Sequence, residues 1–312
     1  MAYQAGEKPK QPVNAAALPA HKNALAFAAL VVGAFAMGAS PIFVRLADVG
    51  PFASAFWRCA LALPFLALWA LLEPKETRQL FSSDRAVVLS GLFFAGDLFF
   101  WHLAILATTV ANATFLATMA PVWVAFGAWL VFRERISKAD FSGLALCLLG
   151  GAALIGQSYS FAPERLAGDS YALVTSVFFG LYMLAVSNAR TRLKIGAGSL
   201  AFISAAITAA CMLAVALLLE TKFLPSSREG WVTLFSLAIV SQVLGQGLLA
   251  VALGRLPATF SSLVIFLEAV GAAALGWLVL SEKLGPLQAL GGALILLGIW
   301  AARPRSKAPA AV

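Results

Sequence analysis

Four ionisable residues sit inside long apolar runs: Arg58, Asp97, His102 and Glu268. A charge at the centre of a hydrocarbon layer costs roughly 2.5–3.5 kcal/mol on insertion scales, so each needs a reason to be there. Asp97 opens the run Asp97-Leu98-Phe99-Phe100-Trp101-His102. Asp97 and Trp101 are four apart and share a helix face, while His102 lies about 100° further round. Two readings of Asp97 stand. It pairs with a neighbouring helix as structural glue, or it faces an aqueous cavity and meets a solute's amino group. Trp101 reads as an interfacial belt residue or, from its mid-run depth, as a cavity wall suited to an apolar or aromatic solute. His102 is a proton relay or a satisfied structural residue. Glu268 serves helix packing, or it exchanges a proton as the cavity switches sides. Arg58, about one turn into its run, snorkels to the interface or pairs with Asp97 or Glu268.

The other polar groups in apolar runs are Ser40 beside Pro41, Asn112, Thr118, Tyr182, Gln242 and Gln246. Gln242 and Gln246 are one turn apart and point the same way, which suits interhelical hydrogen bonding or a solute pathway. Pro41 removes a backbone hydrogen bond and suits a gating kink. Gly143, Cys147 and Gly151 form a small-residue ridge for close helix packing, within the chain or between protomers.

The elements that must hold these groups are apolar to a degree no soluble core could bury. Of 312 residues, 61% are hydrophobic and 12% charged, against about 45–50% and about 25% in soluble domains. Runs near the length that spans about 30 Å of hydrocarbon recur along the chain. We read ten: Ala24–Leu46, Phe52–Leu72, Ala86–Leu106, Ala111–Phe132 and Phe141–Gly156, then Gly168–Ser187, Ser199–Leu219, Trp231–Leu253, Thr259–Leu280 and Leu287–Ala302. Residues 1–23 are an aperiodic, Pro- and Lys-containing tail, and 303–312 a second tail. The basic tail and first apolar run imitate a signal peptide, but the run is too long and too many follow. The fold class is therefore an all-α polytopic membrane protein. Cys59, Cys147 and Cys211 fall inside apolar runs and form no disulfide or zinc pattern.

The net charge of +8 does not point to nucleic acid, because its distribution follows membrane sidedness. With the N-terminus in the cytoplasm, 16 of the Lys and Arg residues fall on the inside and 5 outside, leaving Arg58 within a span. Both termini are then cytoplasmic.

A 148-residue shift brings Pro121–Gly150 onto Ala269–Gly298 with 12 identities in 30 positions. Trp129/Trp277, Glu134/Glu282, Gly143/Gly291 and Gly150/Gly298 are among them. A repeat of this length changes the fold reading: residues 24–156 and 157–302 form two halves. Five spans per half is an odd number, so the second half lies upside down relative to the first. Inverted repeats with a site at their interface are a transporter architecture.

Trp129-Leu-Val-Phe-Arg-Glu134 after Pro121, and Leu267-Glu268-Ala269 leading to Trp277-Leu-Val-Leu-Ser-Glu282, resemble the paired motifs of the drug/metabolite transporter superfamily, EamA type. Phe56-Trp57-Arg58, Leu149-Gly150-Gly151 and Leu297-Gly298 add to the resemblance. Ala269 departs from it where the family often has Pro, which argues against a kink there. Within the family, overall similarity is greatest to bacterial exporters of amino acids, the aromatic amino acid exporters in particular. The resemblance implies ten helices in the bacterial inner membrane, a central cavity, and export of small metabolites from the cytoplasm. It also implies a small-molecule solute as partner, with no cofactor.

Other function classes lack their signatures. There is no His-Glu-x-x-His zinc pattern and no Gly-x-Ser-Gly nucleophile, so an intramembrane enzyme is disfavoured. A passive channel should show polar rings or filter loops, and the loops here are short and plain. No Gly-x-x-x-x-Gly-Lys loop is present for direct ATP drive.

Overall fold

A computed structural model describes residues 20–108, 110–132, 137–155, 163–280 and 285–303. The first half contains α1 (Ala20–Gly38), α2 (Ser40–Leu46), α3 (Pro51–Leu72), α4 (Arg85–Ala107), α5 (Val110–Ala117), α6 (Ala120–Phe132) and α7 (Lys138–Ile155). The second contains α8 (Leu166–Arg192), α9 (Ala197–Leu219), α10 (Arg228–Ser236), a π-helical segment (Leu237–Gln246) and α11 (Gly247–Leu253). It ends with α12 (Ala258–Val264), α13 (Leu267–Leu280) and α14 (Pro286–Ala301). There is no strand among the described residues. Among the described residues, six continuous helical runs are long and apolar enough to cross a membrane, and shorter apolar helices accompany them. The chain is a multi-pass helical membrane protein. Its outer faces carry exposed Leu68, Leu72, Leu217, Leu218, Leu296 and Leu297, an apolar surface that suits lipid and not water. Glu134 and Glu282, the repeat's charged pair, lie outside the described residues, as do the tail 1–19 and residues 304–312.

The first expected span is interrupted at Ala39, between α1 and α2 and just before Pro41, and two others are broken at matching positions. The fourth breaks at Thr118–Met119 between α5 and α6, and the ninth at Ile265–Phe266 between α12 and α13. The same tightened hydrogen bond marks both, from Thr118 N to Phe115 O and from Phe266 N to Leu263 O. These pairs are 148 residues apart, the register of the sequence repeat. Pro121 explains the first break, because its ring cannot follow the carbonyl four residues back. The second has Ala269 in that place, and it breaks all the same, which corrects the expectation drawn from the missing proline. Packing holds it there: Phe266 is fully buried, and a methyl group on Gly151 would touch its ring at 3.3 Å.

The packing repeats the symmetry. In α7 and α14, rising numbers meet falling ones. Gly143 lies against Gly298 and Ala302, Cys147 against Ile295, and Gly150 against Gly291 and Ile295. The helices are antiparallel, and each glycine meets the repeat mate of the other. The small-residue ridge therefore packs within the chain. Gly150 completes it, while Gly151 faces Phe266.

The pair α3 and α9 shows the same reciprocity at both ends. Glu220, which ends α9, accepts from Phe52 N at 2.6 Å and Ala53 N at 2.7 Å, the first amides of α3. Glu73, which ends α3, accepts from Gly198 N at 2.7 Å and Ser199 N at 3.1 Å, the second and third amides of α9. A carboxylate on free N-terminal amides satisfies orphan donors and matches the helix dipole. Gly50 and Gly196 precede these amides, and a Cβ on either would collide with the capping carboxylate.

Candidate functional site

The breaks and three of the four ionisable residues, Arg58, Asp97 and Glu268, converge on one cavity between the halves. Its walls include Ser40 and Pro41 from the first span, Arg58 from α3, and Phe94, Asp97 and Trp101 from α4. Thr118 and Pro121 come from the first break, Thr175 and Phe179 from α8, Gln246 from the π-helical segment, and Ser262, Phe266 and Glu268 from the second break. Its empty space, counting the part open to solvent, is about 790 Å³.

Arg58 does not snorkel. It is 6% exposed. Its Nε donates to Gln242 Oε1 at 3.0 Å and its Nη1 to Ser40 Oγ at 3.3 Å. Its guanidinium lies 5.5 Å from the centre of the Phe94 ring, within cation–π range. Its hydrogen bonds run to these neutral groups and not to Asp97 or Glu268. A buried cation with two carboxylates on the same cavity wall offsets their charge without neutralising either by direct contact. The guanidinium thus keeps donors free while its orientation is fixed.

Asp97 and Trp101 share a face of α4, as their spacing implies, and both line the cavity. Glu268 is the second residue of α13. Its amide donates to Ile265 O at 2.8 Å, and the dipole at a helix start favours a negative charge, which lowers the cost of a carboxylate at this depth. At the other break, Thr118 Oγ1 donates to Phe115 O at 2.6 Å, the same carbonyl that accepts from Thr118 N.

The remaining candidates lie off the wall. His102 is buried at 1% exposure with Nδ1 2.6 Å from Leu98 O. A carbonyl only accepts, so Nδ1 carries the proton. The ring sits beside Trp101 and Phe52. Tyr182 is buried behind the cavity, its ring 5.0 Å from Phe94 and 6.0 Å from Phe179, so it backs the aromatic wall. Gln242 is occupied by Arg58. Asn112 belongs to α5, and its side chain lies outside the described residues. Sequence reasoning did not reach Phe94, Thr175, Phe179 or Phe266. A signal was present for two of them: Thr175 and Phe179 are four apart on α8, the same face-sharing interval as Asp97 and Trp101.

Comparison with known proteins matches this architecture to a family model described as EamA-like transporter family, over residues 24–156 and again over 166–302. The chain belongs to the EamA-like transporter family. The double match places the family unit on each side of the cavity. Among relatives of this EamA protein, the pseudopaline exporter CntI of Pseudomonas aeruginosa is 26% identical over 211 residues, covering 68% of the chain and 72% of the relative. An uncharacterized transporter of Archaeoglobus fulgidus is 25% identical over 272 residues, covering 83% and 90%. A crystal structure with 20% identity superposes with a TM-score of 0.75, over 90% of this chain and 96% of the other, and so shares the fold.

Proposed function

We propose that the protein is a secondary exporter of small metabolites, namely amino acids with aromatic or apolar side chains, working by alternating access between two inverted five-helix repeats. One observation carries the reading. The cavity combines one guanidinium, Arg58, two carboxylates, Asp97 and Glu268, and aromatic rings from Phe94, Trp101, Phe179 and Phe266. That set complements a zwitterion with an apolar side chain. The solute carboxylate meets Arg58, its ammonium meets Asp97 or Glu268, and its side chain lies on the rings. Broken helices at matching places in two repeats are the usual surroundings of such a site. An exporter among the relatives supports outward movement.

The test is competition among the amino acids for uptake into liposomes holding the purified protein. Saturable uptake with aromatic amino acids as the best competitors is the expected result. Non-saturable flux would indicate a passive pore, and no competition by any amino acid would overturn the solute class. In the same assay, Trp101→Ala is expected to raise the half-saturating concentration about tenfold, consistent with roughly 0.5–1.5 kcal/mol from aromatic contact plus lost buried area. Unchanged affinity and rate in a folded variant would place Trp101 outside the pathway.

We place ten spans with both ends in the cytoplasm, from the 16-to-5 bias of basic residues, and a bacterial inner membrane, from the transporter relatives. Single cysteines at positions 134 and 282 should react with impermeant reagents from opposite sides. Labelling from one side would end the inverted arrangement.

A further inference from the structure

Gln246 ends the π-helical segment Leu237–Gln246. An extra residue per turn re-aims side chains, and such segments often mark functional places. Here the segment buries Gln242 and Gln246 together, at 2% and 4% exposure, but uses them differently. Gln242 Oε1 is taken by Arg58 Nε. Gln246 donates through Nε2 to Met37 Sδ at 3.2 Å. A thioether can only accept, which fixes the amide so that Oε1 points away from Met37. That oxygen is buried and has no partner in the protein, and Gln246 lines the solute cavity. Leaving a buried acceptor unmatched costs free energy, and most such groups in proteins are matched. The cavity also presents Thr175 Oγ1, buried at 2% exposure and unpartnered.

We infer that Gln246 is a specificity residue whose carbonyl oxygen accepts a hydrogen bond from a neutral N–H or O–H donor on the solute's side chain. The class of solute is thereby narrowed to aromatic amino acids bearing a donor, such as an indole N–H or a phenolic O–H. The inference rests on the amino acid reading given above. The chemistry supports a neutral donor over the ammonium. Asp97 and Glu268 are the stronger partners for a cation, and an amide oxygen in their presence is left for an uncharged group. A site built to receive a hydrogen bond discriminates strongly against an analogue that lacks the donor, because its buried acceptor is then left unmatched.

The experiment measures half-inhibitory concentrations of four competitors against uptake by the reconstituted protein. Tryptophan is compared with 1-methyltryptophan, and tyrosine with phenylalanine. The wild-type protein is expected to prefer the donor-bearing member of each pair about tenfold or more. In Gln246→Leu both ratios should fall to within about twofold. Equal inhibition within both pairs in the wild type overturns the inference, and that measurement needs no variant to fold. Ratios that persist in a folded Gln246→Leu protein also overturn it, while leaving the amino acid reading intact. Failure of all four to compete overturns both.

Discussion

Arg58→Met is expected to abolish solute transport, with a loss of about 100-fold or more, and to lower the thermal stability of the purified protein. The substitution keeps the volume and removes the donors. Gln242 Oε1 and Ser40 Oγ lose the guanidinium they hold, and Asp97 and Glu268 remain on one cavity wall without a cation. Breaking a buried charge cluster by removing one member costs roughly 3–5 kcal/mol. Two companions separate architecture from solute handling. Arg58→Lys retains the charge, but an ammonium cannot reproduce a planar fork directed at two acceptors and a ring face, so partial activity is expected. Adding Asp97→Asn to Arg58→Met removes one uncompensated carboxylate and should recover stability without recovering transport. Wild-type transport by folded Arg58→Met would remove Arg58 from any part in solute binding.

The second large effect concerns the contact of α7 with α14. A Cβ on Gly298 would lie 2.7 Å from Gly143 O and 2.7 Å from Cys147 Sγ. Overfilling a packed interior typically costs about 1–3 kcal/mol. Gly298→Leu should exceed that, because Gly143 O is backbone and cannot rotate away. Loss of monodisperse protein in detergent, or a melting temperature lowered by well over 5 °C, is the expected outcome. Gly292, six residues away on the same helix, has nothing within 4 Å of its Cβ position. Gly292→Leu is the matched control and should behave as wild type. If the two variants behave alike, the close approach of these helices contributes little.

Much of this was visible in the chain itself, for a physical reason. Hydrocarbon demands apolar runs of a set length, so the helices could be read to within a few residues. Ala86–Leu106 became Arg85–Ala107, and Ser199–Leu219 became Ala197–Leu219. The side-by-side placement of Asp97 and Trp101 followed from helical spacing alone. The break at Thr118 was signalled by Pro121, whereas the break at Ile265–Phe266 has no local signal and depends on the burial of Phe266. Arg58 was misread for a similar reason. Its position near a span end suggests escape to the interface, and only tertiary structure brings Gln242, 184 residues away, to its Nε. The π-helical turn has no composition of its own and left Gln242 and Gln246 looking equivalent. Glu73 and Glu220 look like ordinary charges at the water's edge, because the amides they cap belong to another helix.

Those two glutamates bear on how the protein is made. Glu220 reaches back 168 residues to Phe52, and Glu73 waits for Gly198, 125 residues ahead. During synthesis α3 enters the bilayer before α9, with its leading amides open until α9 has been threaded. Neither half can reach its final free energy before the other has emerged from the ribosome. Biogenesis should consequently be a late, concerted event, and truncated nascent chains ending before Glu220 should be far more readily degraded than those extending past it.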